Sequence, residues 1–223
     1  MTRTHVLNFH GIGTPGRALE QGEAPYWITA DLFAGIVELV AGRPDRAHIA
    51  ITFDDGNASD LAIAAPLLEA HGLAAEIFVL ADRLDQPGSL SRRDLGTLQE
   101  MGMTIGSHGA AHTDWRRLDG IGQTREFEEA RAEIADAAGT PVSAAAIPFG
   151  AYNAGVLRAL RPLGYARVYT SDGGAMRPGA WLCPRTSVRD GMTLDTVRAI
   201  LDGHMTPLRR LRRGLGMLKR RVL

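Results

Sequence analysis

The chain has 223 residues, 45% hydrophobic and 22% charged, which fits one α/β domain with a sizeable core and excludes a disordered or fibrous class. Its single cysteine, Cys183, excludes an internal disulfide and a cysteine-based zinc site. No apolar run is long enough for a signal peptide or a membrane span, so a reducing cytoplasm is the expected compartment. The net charge of zero conceals a segregation. Seven basic and no acidic side chains lie from Arg209 onward, leaving 18 basic against 25 acidic residues and a net of about −7 for residues 1–208.

Strand-like and helix-like segments alternate along the chain, with no internal repeat or low-complexity stretch. Short apolar strands are expected at 6–9, 49–53, 75–80, 103–106, 144–147 and 167–169. Between them, helices are expected at 29–40, ending at Gly42, and at 92–101, capped by Ser91 and stopped by Gly102. Two more are expected at 123–138, ending at Gly139, and at 153–163, stopped by Gly164. Pro66 falls inside a helical pattern over 60–70, which implies a kink or a later start. This alternation points to a parallel α/β architecture, open or closed into a barrel. Polar clusters then follow the strand ends: His10-Gly11, Asp54-Asp55, His108, Pro148-Phe149-Gly150 and Ser171-Asp172-Gly173-Gly174. That is the face on which barrels and doubly wound sheets build their sites.

Thr52-Phe53-Asp54-Asp55-Gly56 sets two carboxylates side by side where an apolar run stops, and His108 and His112 follow four positions apart. Adjacent carboxylates repel and split their pKa values. A metal relieves the conflict if one aspartate coordinates it and the other stays free to accept a proton. One carboxylate and two imidazoles make an open three-ligand site with room for an acidified water. Taken singly, Asp-Asp-Gly is equally a turn, and His-x-x-x-His is more often two surface histidines on a helix. Their order, each after a strand, favours a metal-dependent hydrolase. An Asp-x-Asp phosphatase fits poorly, because its two carboxylates stand two residues apart.

Together with Ile147-Pro148-Phe149-Gly150-Ala151-Tyr152-Asn153, these motifs resemble the polysaccharide deacetylase family, carbohydrate esterase family 4 or NodB-homology domain. The resemblance runs from about residue 5 to about residue 200. It implies a distorted (β/α) barrel of parallel strands over residues 1–205 and a divalent metal, usually zinc, with cobalt, nickel or manganese as alternatives. The implied reaction is removal of an acetyl group from an N-acetylated sugar in a polysaccharide or lipid-linked glycan. By motif, Asp54 would be the general base and Asp55, His108 and His112 the metal ligands. A backbone N–H of Tyr152 or Asn153 would stabilise the oxyanion.

Two positions depart from the family pattern. Gly109 stands where a loop-bracing Ser or Thr is usual. Ala146 stands where many members carry the arginine that orients the catalytic aspartate, so an orienter comes from elsewhere or activity is weaker. The rival reading is therefore a catalytically weak or inactive barrel that binds glycan. The exopolysaccharide-acting branch matches better, with a small residue there and a first strand like Asn8-Phe9-His10-Gly11. His10 is the candidate proton donor or a hydrogen-bonded histidine at the barrel mouth. His204 formally fits a late Leu-x-x-His element but follows a helix and is expected on the surface, as are His5, His48 and His71. Pro148, Phe149, Gly150, Tyr152 and Trp115 are candidate substrate contacts, the aromatics serving as a stacking floor or as core. Asp172 is read as capping its glycine-rich turn.

Residues 206–223 form a basic tail in which Leu208, Leu211, Leu215, Leu218 and Val222 recur at 3-4-3-4 spacing. It is expected either to pack on the acidic body or to lie on an anionic membrane surface, at the inner face of the membrane. Nucleic acid is disfavoured, because the basic residues sit in one short segment without stacking aromatics.

Overall fold

The computed structural model describes residues 3–204 and 207–222, and in the last helix the side chains from Gly214 onward except Arg221. Residues 206 and 223, which the tail reading includes, and the side chains of Leu208 and Leu211 lie outside that description. The strands are β1 (Thr4–Phe9), β2 (Gly11–Ile12), β3 (Trp27–Ile28), β4 (Ile49–Phe53), β5 (Ala75–Val79), β6 (Thr104–Ser107), β7 (Ala144–Ala146), β8 (Arg167–Thr170), β9 (Ala175–Met176), β10 (Leu182–Pro184) and β11 (Thr186–Ser187). The main sheet runs β10-β8-β7-β6-β5-β4-β1-β11 with every neighbour parallel, and β9 pairs antiparallel with β1. Its two terminal strands, β10 and β11, are separated in sequence by Arg185 alone. The sheet therefore curls until the chain itself bridges its edges, giving a distorted (β/α) barrel.

Alternation along the strands decides what faces the interior. Val6, Phe78, Ala144, Ala146, Tyr169 and Cys183 form one buried cluster inside the barrel. The same alternate rows run on to Asn8 and His10, Thr52 and Asp54, His108, and Arg185. Register then sets Asn8 beside Thr52 and Phe78 beside Gly106. A Cβ on Gly106 would lie 2.4 Å from the Phe78 ring, so only glycine lets that ring cross the barrel.

The outward rows meet the helices. In α1 (Ala30–Ala41), capped by Thr29, Phe33, Ile36, Val37 and Val40 are buried at helical spacing. Phe33 meets Phe9 edge-on at 5.2 Å, and Phe9 stacks on Phe53 at 5.4 Å. Each such ring contributes roughly 1.5–3 kcal/mol when buried. A π-helical turn over Asp60–Ala64 runs without a break into α2 (Ala65–Ala70), so Pro66 lies inside one helical run and follows its local widening. Ser91 and Asp94 form a reciprocal capping box on α3 (Arg92–Glu100). The segment 120–138 is α4 (Gly120–Thr124), a π-helical turn (Arg125–Glu129) and α5 (Ala130–Ala138), ended by Gly139 in the left-handed conformation. Next come α6 (Ala154–Leu160), capped by Asn153, then α7 (Leu194–Leu201) and α8 (Pro207–Val222).

His48 is exposed as expected, but His5 and His71 are half-buried. His5 lies within β1, and Nδ1 of His71 meets the Leu67 carbonyl at 2.9 Å.

Candidate active site and metal centre

Loops at the C-terminal ends of the strands enclose a cavity of about 380 Å3. Its lining includes His10 after β1, Asp54 and Asp55 after β4, His108 and His112 after β6, and Phe149 after β7. Asp55, His108 and His112 bring three ligand atoms within 4.8 Å of one another. Nε2 of His108 and of His112 lie 3.6 and 3.5 Å from Asp55 Oδ1. Nδ1 of His108 lies 2.9 Å from the Ala146 carbonyl, and Nδ1 of His112 lies 2.7 Å from Glu20 Oε2. An Nδ1–H donating to each acceptor leaves both Nε2 lone pairs facing Asp55, the pattern by which outer partners fix a metal-binding imidazole. Both Asp55 oxygens are buried without a hydrogen-bond partner, an arrangement that costs free energy unless a cation fills it. The donor set therefore fits a divalent metal. Burial pushes His108 down to about 4, against the opposing pull of Asp54 and Asp55, so the ring is neutral and free to coordinate near neutral pH.

Backbone conformation marks the same residues. Asp55, His112 and Phe149 have φ of 78°, 52° and 58°, left-handed values uncommon for side chains other than glycine.

Asp54 is held quite differently. Arg185, fully buried, donates from Nη1 to Oδ1 and from Nη2 to Oδ2, both at 2.7 Å. Asn8 Nδ2 adds a bond of 2.9 Å to Oδ2. Asn8 is itself fixed by Thr52 Oγ1 and by Arg185. Burial alone would raise the Asp54 carboxyl, but the Arg185 guanidinium, aided by His108 and His10, holds it well below the usual carboxylate range. Asp54 is thus a fixed anion and a weak base. His10 Nε2 stands 4.0 Å from Asp54 Oδ2, and His10 Nδ1 is buried with no partner among the described residues.

Both departures from the family pattern find their physical answer here. Ala146 packs inside the barrel with Phe78, Tyr169 and Cys183, and the orienting cation comes instead from Arg185, where β10 passes to β11. Gly109 has φ +89°, and a Cβ there would lie 2.2 Å from Glu126 Oε2. Glu126 is buried and accepts from the backbone N–H of Ala110 and Ala111 and from Trp115 Nε1, so it braces the histidine loop.

Several expectations are corrected. Trp115 and Tyr152 are 1% and 0% exposed and belong to the core under α6, so they cannot form a stacking floor. Pro148 is buried, and Gly150 packs against Ser171. Among the third-motif residues only Phe149 lines the cavity; it is 61% exposed, with its ring 4.3 Å from that of His112. Neither Tyr152 nor Asn153 lines it. Asp172, read as capping its turn, accepts from Tyr152 Oη at 2.7 Å and Thr170 Oγ1 at 2.9 Å and pairs with Arg220. His204 is exposed and absent from the cavity lining.

Sequence reasoning missed Arg185, Asn8, Glu20 and Glu126. Glu20 arrives on the segment between β2 and β3, which Glu23 pins by accepting from Arg17 Nη1 at 2.9 Å and from Glu20 N at 2.8 Å. Arg83 pairs with Glu20 and stands 4.0 Å from Asp55.

The sequence pattern of the family described as polysaccharide deacetylase matches residues 41–168, more than half of the chain. The Bacillus subtilis (strain 168) protein YxkH, which bears that family's name, is 26% identical over 162 residues, covering 72% of this chain. The chain spans 58% of the length of that curated relative. A Bacillus anthracis structure bearing the same family name superposes with a TM-score of 0.77 at 19% identity, covering 90% of this chain and 69% of that one. The Streptococcus pyogenes deacetylase PplD, solved in complex with acetate, gives 0.76 at 18% identity, with coverages of 90% and 98%. A de-N-acetylase from Aggregatibacter actinomycetemcomitans gives 0.74 at 16% identity, with coverages of 90% and 100%. At these identities the structural likeness speaks for the fold.

Proposed function

The chain belongs to the polysaccharide deacetylase family, and on that premise we propose that it is a metal-dependent hydrolase that removes acetyl groups from an N-acetylated glycan. One observation carries the reading: two imidazoles with Nδ1 tied off and a buried carboxylate without a hydrogen bond converge on one point, beside a second carboxylate committed to an arginine. A divalent cation bound by Asp55, His108 and His112, zinc in the first instance, would acidify a water and polarise the acetyl carbonyl.

Asp54 receives the proton of the attacking water as its oxygen bonds to the acetyl carbon. A carboxylate held at low basicity would suit this step where a bound metal has lowered the pKa of the water. Arg185 keeps both Asp54 oxygens in position and keeps the group anionic between turnovers. His10, on the same side of the cavity, hands a proton to the sugar nitrogen as the C–N bond breaks, leaving acetate and a free amine. Phe149, exposed at the rim, offers a face for a sugar ring. The rival reading, a glycan-binding barrel without turnover, rests on Ala146; an orienting cation on Arg185 favours turnover over it.

The test is acetate release from a chitooligosaccharide or a poly-N-acetylglucosamine fragment by purified protein, before and after chelation, with zinc, cobalt, nickel or manganese restored. Metal-restored acetate release supports the proposal. Glycan binding without acetate under any of these metals would establish the binding module instead.

A further inference from the structure

A second cavity, of about 630 Å3, opens at the opposite end of the barrel, where β1 and β10 begin. Arg3, Arg161 and Arg177 line it, together with Leu157, Trp181 and Met217. No acidic side chain is in its lining, and none of the three arginines has an ion-pair partner among the described residues. Arg161 is instead laid over the Trp181 ring at 4.0 Å, which holds its guanidinium extended by stacking. On a body of net negative charge, three guanidinium groups without ion-pair partners around one hollow make it attractive to an anion. Planar forks of this kind match phosphate oxygens best. The apolar part of the lining asks that the phosphate be carried on a hydrocarbon group.

The helix that walls this cavity supplies an independent observation. Gly214 and Met217 of α8 face the cavity, and Arg220 pairs with Asp172 and lies 5.4 Å from the Tyr152 ring. That row holds α8 on the barrel. The neighbouring row, Leu215, Leu218 and Val222, turns away from the barrel and is 59%, 59% and 67% exposed. A helix that served only to complete the barrel would turn its leucines inward. No helix among the described residues is long and apolar enough to cross a membrane, so a stripe of this kind suits the interfacial plane.

We propose that the α8 side of the molecule docks on an anionic lipid surface, with Arg3, Arg161 and Arg177 taking a lipid phosphate while Leu215, Leu218 and Val222 enter the acyl boundary. The cavity and the stripe lie on the same turns of one helix, about 10–12 Å across, so a headgroup and its own bilayer reach both.

The test is co-sedimentation of the full chain with phosphatidylglycerol and with phosphatidylcholine vesicles at low salt. Two double variants, Arg161→Ala with Arg177→Ala and Leu215→Ser with Leu218→Ser, run beside it, and circular dichroism and acetate release from a small soluble substrate verify their folding. Binding to the anionic vesicles only, weakened roughly tenfold or more by the arginine pair and clearly by the leucine pair, supports the proposal. Wild-type protein that ignores anionic vesicles, or an arginine variant that binds like wild type, overturns it. Glycerol phosphate bound as tightly as the vesicles, with no effect of the leucine pair, overturns the lipid assignment and makes the ligand a soluble phosphate ester.

Discussion

Arg185 and Asp54 are a buried ion pair whose worth lies in what happens when one partner is removed. Breaking such a pair strands an uncompensated charge and costs about 3–5 kcal/mol, whereas removing both is far milder. Arg185→Met should therefore lower the unfolding free energy by about that amount. Adding Asp54→Asn should recover part of it, giving a non-additivity of about 1 kcal/mol or more in a double-mutant cycle read by urea unfolding. Strictly additive effects would mean that the bidentate contact is not what holds the aspartate. Arg185 escapes sequence reading because nothing in Cys183-Pro184-Arg185 signals chemistry. Its meaning comes from topology: it is the one residue between the two edge strands, and it lies beyond the matched segment 41–168.

At the level of elements, all six strands expected from apolar runs are present, and the helices stop at the glycines that the pattern singles out. The two-residue strands β2, β3 and β11 are too short to carry a periodicity, and β9 and β10 lie in a loop-like stretch rich in glycine and proline. The ligand set was legible because its side chains follow strands at motif spacing. The residues that brace it were not, because they come from other elements. Glu126 reaches the histidine loop from a π-helical turn, a local widening with no sequence signature. It explains Gly109, and it makes a specific expectation. Gly109→Ser restores the residue more usual in the family, yet it should destabilise the protein by about 1–3 kcal/mol, since the new Cβ meets Glu126 and the backbone is left-handed. A melting temperature equal to that of wild type would refute the brace. The aromatic floor failed for a related reason: motif position does not say which rings face the cavity, and packing under α6 claimed Trp115 and Tyr152.

For the whole molecule, the buried site makes stability depend on pH. In the metal-free protein His108 resists protonation down to about 4, while the unfolded chain takes that proton near 6.5, so acidification across this window favours unfolding. Asp54 acts lower: its folded carboxyl titrates below its ordinary 3.8, so its contribution is full above that value and is lost as pH falls through the depressed one. Urea unfolding of chelated protein should show both losses, and His108→Asn should remove the upper one. The adjacent carboxylates divide the labour of holding the metal and taking the proton, and zinc titration beside acetate release in Asp54→Asn and Asp55→Ala separates the two roles. Asp54→Asn should bind zinc as wild type does and release no acetate, while Asp55→Ala should lose the zinc. Full turnover in Asp54→Asn, or undiminished zinc affinity in Asp55→Ala, would contradict the account.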